Sequence, residues 1–246
     1  MTSISGYYVR GAVCCGARYK TPRYASMNFM SSAYWTDGYR EQSLMPNDQG
    51  LRRCTCGKFL LQRDLVEMAQ VDQSDLPWPP RVDPADLPLA IAQADSPALE
   101  LAARTGYWLE LNHAYRDRYR AHRDAEDAAT QAAWEAAHPD QRNIWQRWRN
   151  NERQPRYRPS PDRVLTFPVV EATKEQRENM QALLGLMENL GPSYAYERVE
   201  LHRELGQFDE AARALKEAQE SDSPTLHKLS AELIAERQAA PVRYRG

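Results

Sequence analysis

Four cysteines, and no others, set the first constraint on this 246-residue chain. Cys14 and Cys15 lie in "GAVCCGARYK", and Cys54 and Cys56 lie in "LRRCTCGKFL". Each stretch places Cys-Gly next to a small or basic residue and then an aromatic or apolar one. A zinc knuckle usually offers two thiolates as Cys-x-x-Cys followed by Gly, whose freedom of φ permits the tight turn. Here the spacings are Cys-Cys and Cys-x-Cys. Consecutive side chains tend to point apart, so Cys14 and Cys15 make an unusual ligand pair. Two readings stay open: a four-thiolate structural zinc site on Cys14, Cys15, Cys54 and Cys56, or a ribbon-like fold whose sulfurs are small buried hydrophobes. A vicinal Cys14–Cys15 disulfide is strained and ranks third.

The surroundings of the cysteines differ from the rest of the chain. "YYVRGAV", "AYWTDGYR" and "KFLLQRDLVEM" are rich in Tyr, Val, Phe and Trp and are broken by Gly and Asp, which predicts short strands and turns. Asp37-Gly38, between Tyr34-Trp35 and Tyr39, predicts a hairpin. The stretch "VCCGARYKTPRYASMNFMSSAYWTDGYREQSLMPNDQGLRRCTCGKFLLQRDLVEM" resembles the front end of a group of uncharacterised bacterial proteins. In that group a Cys-Pro-x-Cys-Gly knuckle leads through a Trp-Ser/Thr-Asp-Gly hairpin and a Met-x-Pro stretch to a second such knuckle. Trp35-Thr36-Asp37-Gly38, Met45-Pro46, Cys15-Gly16 and Cys56-Gly57 match, while the first cysteine of each pair falls off the pattern. The resemblance covers the first seventy or so residues, and residues 180–238 more loosely. It implies a zinc-ribbon-like module and no known activity.

Beyond residue 72 the chain turns helical. A Pro-rich linker with a short helix spans residues 73–96, where Asp83-Pro84 and Ser96-Pro97 read as N-cap followed by Pro at the first helical position. Leu101, Tyr107, Trp108, Leu111, Tyr115 and Tyr119 fall at helical spacing, predicting one helix from Ala98 to about His122, continued to a stop at His138-Pro139. "DQRNIWQRWRN" reads as a further short helix. Thr173 and Gln176 form a capping-box pattern ahead of Met180, Leu183, Leu184 and Met187. Ser193 and Ser223-Pro224 are candidate starts for the last helices, and the tail "APVRYRG" reads as frayed. "RVELHRELGQFDEAARALKEA" is similar to the core of a tetratricopeptide unit, through Leu205, Gly206, Phe208, Glu210, Ala211, Leu215 and Ala218. One unit is visible and a solenoid needs about three, so a plain helical hairpin within residues 194–238 is the competing reading. The expected fold class is α+β, mainly α: a β-rich ribbon-like module at 1–72, the linker at 73–96 and a helical domain at 97–246.

Charge and motifs narrow the function. Lys and Arg number 32 against 34 Asp and Glu, so no global field favours nucleic acid or a membrane surface. There is no leader pattern and no window approaching the ~18 apolar residues of a membrane span, which points to the cytoplasm, where thiols stay reduced or bind metal. Phosphate-loop, nucleophile-elbow and His-Glu-x-x-His motifs are missing from the sequence, and His113/Asp117 and His122/Glu126 have the spacing common on charged helix faces. The expectation is a protein without catalysis that binds another protein, such as an immunity or adaptor protein holding a toxin or secreted effector. The expected contacts are Trp145, Trp148, Arg149, Arg156, Tyr157 and Arg158 in an arginine-rich aromatic segment, and Tyr194, Tyr196 and Phe208 on the later helices, since Trp, Tyr and Arg dominate protein hot spots. The alternative is a zinc-ribbon nucleic-acid-binding or regulatory protein.

Overall fold

The computed structural model describes residues 3–28, 31–41, 50–139, 157, 171–190, 192–219 and 223–244. The chain divides into two compact units, one of Met1–Asn112 with Val169–Gly246 and one of His113–Pro168. The class is mixed α and β, with three small sheets among the described residues.

In the first unit, β1 (Ser3–Gly11) is the centre of a three-stranded antiparallel sheet. Its neighbours are β2 (Arg18–Ser26) and β7 (Val66–Val71), in the order β2-β1-β7. β3 (Ala33–Trp35) and β4 (Arg40–Glu41) form the expected Asp-Gly hairpin. The Trp35 amide donates to the Tyr39 carbonyl at 2.9 Å, the Gly38 amide donates to the Trp35 carbonyl at 2.9 Å, and Asp37 Oδ1 accepts from the Tyr39 amide at 3.1 Å. β5 (Leu51–Arg53) pairs with β6 (Phe59–Leu61). The apolar residues of that hairpin, Leu51, Phe59 and Leu61, are buried in one cluster with Leu87 and Ala90 of α1 (Leu87–Ala92) and with Leu99, Ala102 and Ala103 of α2 (Pro97–Leu111). Each leucine or phenylalanine there contributes about 1.5–3 kcal/mol on burial, and the β-rich segment and the helices on either side of residue 72 share this one core. The Pro-rich segment is stitched across the strands as well. The Lys20 amide donates to Pro77 O at 2.9 Å, the Arg53 amide to Pro80 O at 3.0 Å, and Arg52 bridges to Arg81.

Local capping follows the sequence closely at several helix ends. Ser96 Oγ accepts from the Leu99 amide at 3.3 Å, and Asp83 Oδ1 from the Ala85 amide at 2.9 Å. Ahead of α4 (Lys174–Leu190) the capping box is reciprocal, with Gln176 N to Thr173 Oγ1 at 3.2 Å and Thr173 N to Gln176 Oε1 at 2.8 Å. Met180, Leu183, Leu184 and Met187 of α4 bury with Trp108 and with Leu201 of α5 (Ala195–Glu204). α5 ends in a Schellman turn, Gly206 N to Arg203 O at 2.9 Å and Gln207 N to His202 O at 2.8 Å. α6 (Phe208–Glu217) then folds back, burying Ala214 and Leu215 with Ala195 and Val199. α7 (Pro224–Ala235) buries Leu233 and contacts both α5 and α6.

Three expectations are corrected. The helix expected from Ala98 to His122 stops at Leu111, and Asn112 turns its side chain to Asp37 and Glu204; α3 (His113–Ala137) begins in the second unit. Ser193 caps nothing: a 3-10 turn, Pro192–Tyr194, precedes α5, whose N-cap is Tyr194. The tail is no frayed end but a strand, β8 (Arg243–Tyr244), paired with β3.

A buried polar network joins these parts. Thr36 Oγ1 donates to Glu200 Oε1 at 2.6 Å and accepts from the Val242 amide at 2.9 Å and from Arg203 at 3.2 Å. Arg203 Nε donates to Glu200 Oε2 at 2.9 Å, and its Nη1 donates to the Gln238 carbonyl. Glu41 accepts from Trp35 Nε1 at 2.8 Å and from Arg243 at 2.9 Å. Glu204 accepts from Trp108 Nε1 at 3.0 Å and from Asn112. Burial, with Glu200 and Asp37 nearby, holds the Glu204 carboxyl well above the usual range.

Two measurements follow. Arg203→Met leaves Glu200 buried without its counter-charge and is expected to cost about 3–5 kcal/mol in urea unfolding; a loss under ~1 kcal/mol would show the pair to be dispensable. Glu204 has a raised folded-state pKa, so its contribution to stability is full below its unfolded value of about 4.5 and is lost as pH rises through the folded one. The uncharged Glu204→Gln chain should therefore gain in melting temperature over the parent as pH rises from 4 to 8; a pH-independent difference would contradict this.

Candidate metal centre

Two hairpin tips face each other in the first unit. The turn between β1 and β2 is closed by Ala12 N to Ala17 O at 2.8 Å and by Gly16 N to Ala12 O at 2.8 Å. The turn between β5 and β6 is closed by Cys54 N to Lys58 O at 2.7 Å and by Gly57 N to Cys54 O at 2.8 Å. Gly16 has φ +74° and Gly57 φ +90°, the left-handed region where a side chain is strained. These glycines reverse the chain directly after Cys15 and Cys56 and aim the thiols across the gap.

All four sulfurs converge, lying within 4.8 Å of one another. Cys14 Sγ is 3.5 Å from Cys56 Sγ, Cys15 Sγ is 3.4 Å from Cys54 Sγ, and Cys14 and Cys15 are 3.9 Å apart. Zinc–sulfur bonds of 2.3 Å in a tetrahedron give sulfur–sulfur edges of about 3.8 Å. The observed separations bracket that edge, and all four cysteines are free thiols. The residues therefore fit a divalent metal ion such as zinc. The adjacent pair Cys14-Cys15, expected to diverge, is carried on a turn that lets both sulfurs reach one point. Cys14 and Cys54, irregular in their spacing, belong to the cluster as fully as Cys15 and Cys56. Cys54 is buried, but the other three are exposed, so the reading of the sulfurs as plain core hydrophobes does not hold for them.

The thiols do not share one acidity. Burial works against the Cys54 thiolate, but hydrogen bonding from Tyr19 and the Cys56 backbone outweighs it and draws the group down to about 6. Burial and hydrogen bonds to Cys56, Cys54 and Cys15 push Cys14 up to about 12. Tyr19 holds the centre from beneath: its hydroxyl lies 3.3 Å from Cys54 Sγ and accepts the Thr55 amide at 3.0 Å. Nothing in the spacing of Tyr19 marked it; only the pairing of β1 with β2 brings it under the second hairpin. Four thiolates this close repel one another, and a bound cation removes the repulsion and releases the protons.

The expected partner contacts fall elsewhere. Trp145, Trp148, Arg149, Arg156 and Arg158 lie outside the described residues, as do Met45 and Pro46 and the short helix expected around Trp145. Tyr157 is half-buried, 6.1 Å from Trp134 ring to ring. Tyr194 is half-buried against the Trp108 cluster. Tyr196 donates to Gln219 O at 3.0 Å, and Arg237 stands 4.8 Å over the Phe208 ring. His113–Asp117 at 3.0 Å and His122–Glu126 at 3.4 Å lie on α3 with their side chains about half exposed. No helix among the described residues is long and apolar enough to cross a membrane. Neither a family model, nor a curated protein, nor a solved structure matches the chain.

Cobalt(II) titrated into reduced, metal-free protein is expected to give intense tetrahedral d–d bands and thiolate charge-transfer absorption, saturating at equimolar metal. Zinc should displace it, and Cys54→Ser should weaken binding at least about tenfold. A cobalt spectrum without tetrahedral bands would remove the site.

Proposed function

We propose that this chain is a non-catalytic protein-binding protein of the bacterial cytoplasm, an immunity or adaptor protein that holds a toxin or secreted effector. The observation that supports this most is the build of the cysteine centre. An all-thiolate set of four closes the coordination sphere and leaves no position for substrate water, as in structural rather than catalytic zinc sites. Zinc bound there would tie the β1–β2 tip to the β5–β6 tip and stiffen a zinc-ribbon-like head. The antiparallel helices α5 and α6, with their Leu-Gly turn and Phe208, supply a tetratricopeptide-like frame of the kind that presents surfaces to other proteins. The arginine- and tryptophan-rich stretch from Trp145 to Arg158 is the expected source of further contacts.

The alternative, a zinc-ribbon nucleic-acid-binding protein, shares the metal but predicts strongly salt-dependent retention on a polyanion. The immobilised chain, incubated with lysate of its host cell, is expected to recover a stoichiometric protein partner, and the free protein to pass through heparin at low salt. Retention on heparin with a gel shift on single-stranded DNA, and no recovered protein, would replace this reading by the alternative.

A further inference from the structure

The two hairpin tips are held face to face by more than their thiols. Ala12 and Tyr19, beside the β1–β2 turn, bury with Cys54 of the β5–β6 turn and with Leu65, just ahead of β7. The Tyr19 hydroxyl accepts the Thr55 amide at 3.0 Å. The β5–β6 hairpin is seated on α1 and α2 by Leu51, Phe59 and Leu61, and β1 lies between β2 and β7. None of these contacts uses a metal, so packing alone keeps the sulfurs of one tip opposite those of the other.

The approach of the sulfurs has a direction. Four cysteines allow three pairings. The two shortest separations both cross from tip to tip, Cys15–Cys54 at 3.4 Å and Cys14–Cys56 at 3.5 Å. Both are tighter than the ~3.8 Å edge of a zinc–thiolate tetrahedron. Cys14 and Cys15, on one tip, are 3.9 Å apart, and a disulfide between adjacent residues is strained. The two crossing pairs share no cysteine, so both can close together. Reaching the ~2.05 Å of a disulfide asks each pair to close by about 1.4 Å. The rim of the centre is open: Cys14, Cys15 and Cys56 are exposed, as are Gly16, Thr55 and Lys58, and Val13 is 81% exposed. Each crossing pair therefore has at least one sulfur within reach of a small oxidant in solvent.

We propose that the cysteine centre is a site of reversible oxidation by a peroxide, at which a bound metal is exchanged for two cross-hairpin disulfides, Cys14–Cys56 and Cys15–Cys54. In each pair an exposed thiolate, Cys15 in one and Cys14 or Cys56 in the other, attacks an oxygen of hydrogen peroxide. The O–O bond breaks, hydroxide leaves, and a sulfenic acid forms. The facing thiolate then attacks that sulfur; the S–S bond forms, the S–O bond breaks, and a second hydroxide leaves. Each pair gives two electrons to one peroxide, and solvent protonates the two hydroxides to water. Thiolates spent in this way no longer hold a metal. Because both disulfides run between the tips, the oxidised chain keeps the connection that the metal supplied, and the fold survives the exchange. Reduction by a cellular dithiol reverses it, as for the transient disulfides of reducing compartments. The same chemistry operates whichever partner the chain binds.

The test treats the full-length zinc-loaded chain with hydrogen peroxide. A chromogenic chelator follows zinc release, and a thiol-reactive dye follows the cysteines. Zinc is expected to leave as the thiols disappear, and dithiothreitol with added zinc should restore both. Far-UV circular dichroism should be unchanged, and the oxidised chain should melt at or above the reduced, metal-free chain. Paired serine substitutions, studied metal-free, decide the pairing. Cys15→Ser with Cys54→Ser leaves Cys14 and Cys56, and Cys14→Ser with Cys56→Ser leaves Cys15 and Cys54. Both should form an intramolecular disulfide, read by intact mass, at least about tenfold faster than the other combinations. Those are Cys15→Ser with Cys56→Ser, Cys14→Ser with Cys54→Ser, and Cys54→Ser with Cys56→Ser. Survival of zinc and thiols, sulfinic acids or disulfides between chains as the products, equal rates across the variants, or loss of the folded signal would each overturn the exchange. A chain that takes up no zinc would overturn it as well. None of these outcomes involves a partner, so the protein-binding reading stands or falls separately, on the lysate experiment.

Discussion

The ion pair between Glu200 and Arg203 is the point on which the first unit turns. Arg203 is fully buried and Glu200 nearly so, and two charges in such a place are tolerated only when every remaining hydrogen-bonding site is filled. The chain fills them with groups far apart in sequence: Thr36 from the Asp-Gly hairpin, itself held by the Val242 amide, and the Gln238 carbonyl from the tail. The Asp-Gly hairpin and the C-terminal stretch are thereby fastened to α5. The tail, held at Val242, then lays β8 beside β3 and brings Arg243 to Glu41.

A second fastening acts on the other half of the head. The β5–β6 hairpin has its base in the helical core, through Leu51, Phe59 and Leu61, and carries Cys54 and Cys56 at its tip. The β1–β2 hairpin carries Cys14 and Cys15. A metal held between the tips would connect a sheet to a hairpin already seated on α1 and α2, so the centre and the core stabilise the same arrangement. The Pro-rich segment is bonded to both hairpins, through Lys20 N to Pro77 O and Arg53 N to Pro80 O.

Much of the local structure was legible because its causes are local. The capping box at Thr173 and Gln176, the Ser96-Pro97 start and the Asp37-Gly38 turn each depend on a few adjacent residues, and each forms as expected. The misreadings have distant causes. Helical periodicity runs through residue 112, but Asn112 is claimed by Asp37 and Glu204, residues 75 and 92 positions away. "APVRYRG" looks frayed because its strand partner lies at Tyr34 and Trp35. The Pro-rich stretch looks like a free linker because its carbonyls find amides on β2 and β5, which no local pattern announces.

By itself the sequence determined which residue types were available and where the chain must turn: four thiols, each pair ending in Cys-Gly, and glycines where φ must be positive. It could not determine whether the thiols meet, because irregular spacing within each pair is decided by turn geometry and the meeting of the pairs by the packing of two hairpins. Only the tertiary structure set sulfur against sulfur at 3.4–3.9 Å. Only it buried Glu200 and Arg203 beside Thr36, 164 and 167 positions away in the chain. Charge adds along a sequence, but fields and coordination depend on distance, and distance is fixed by the fold.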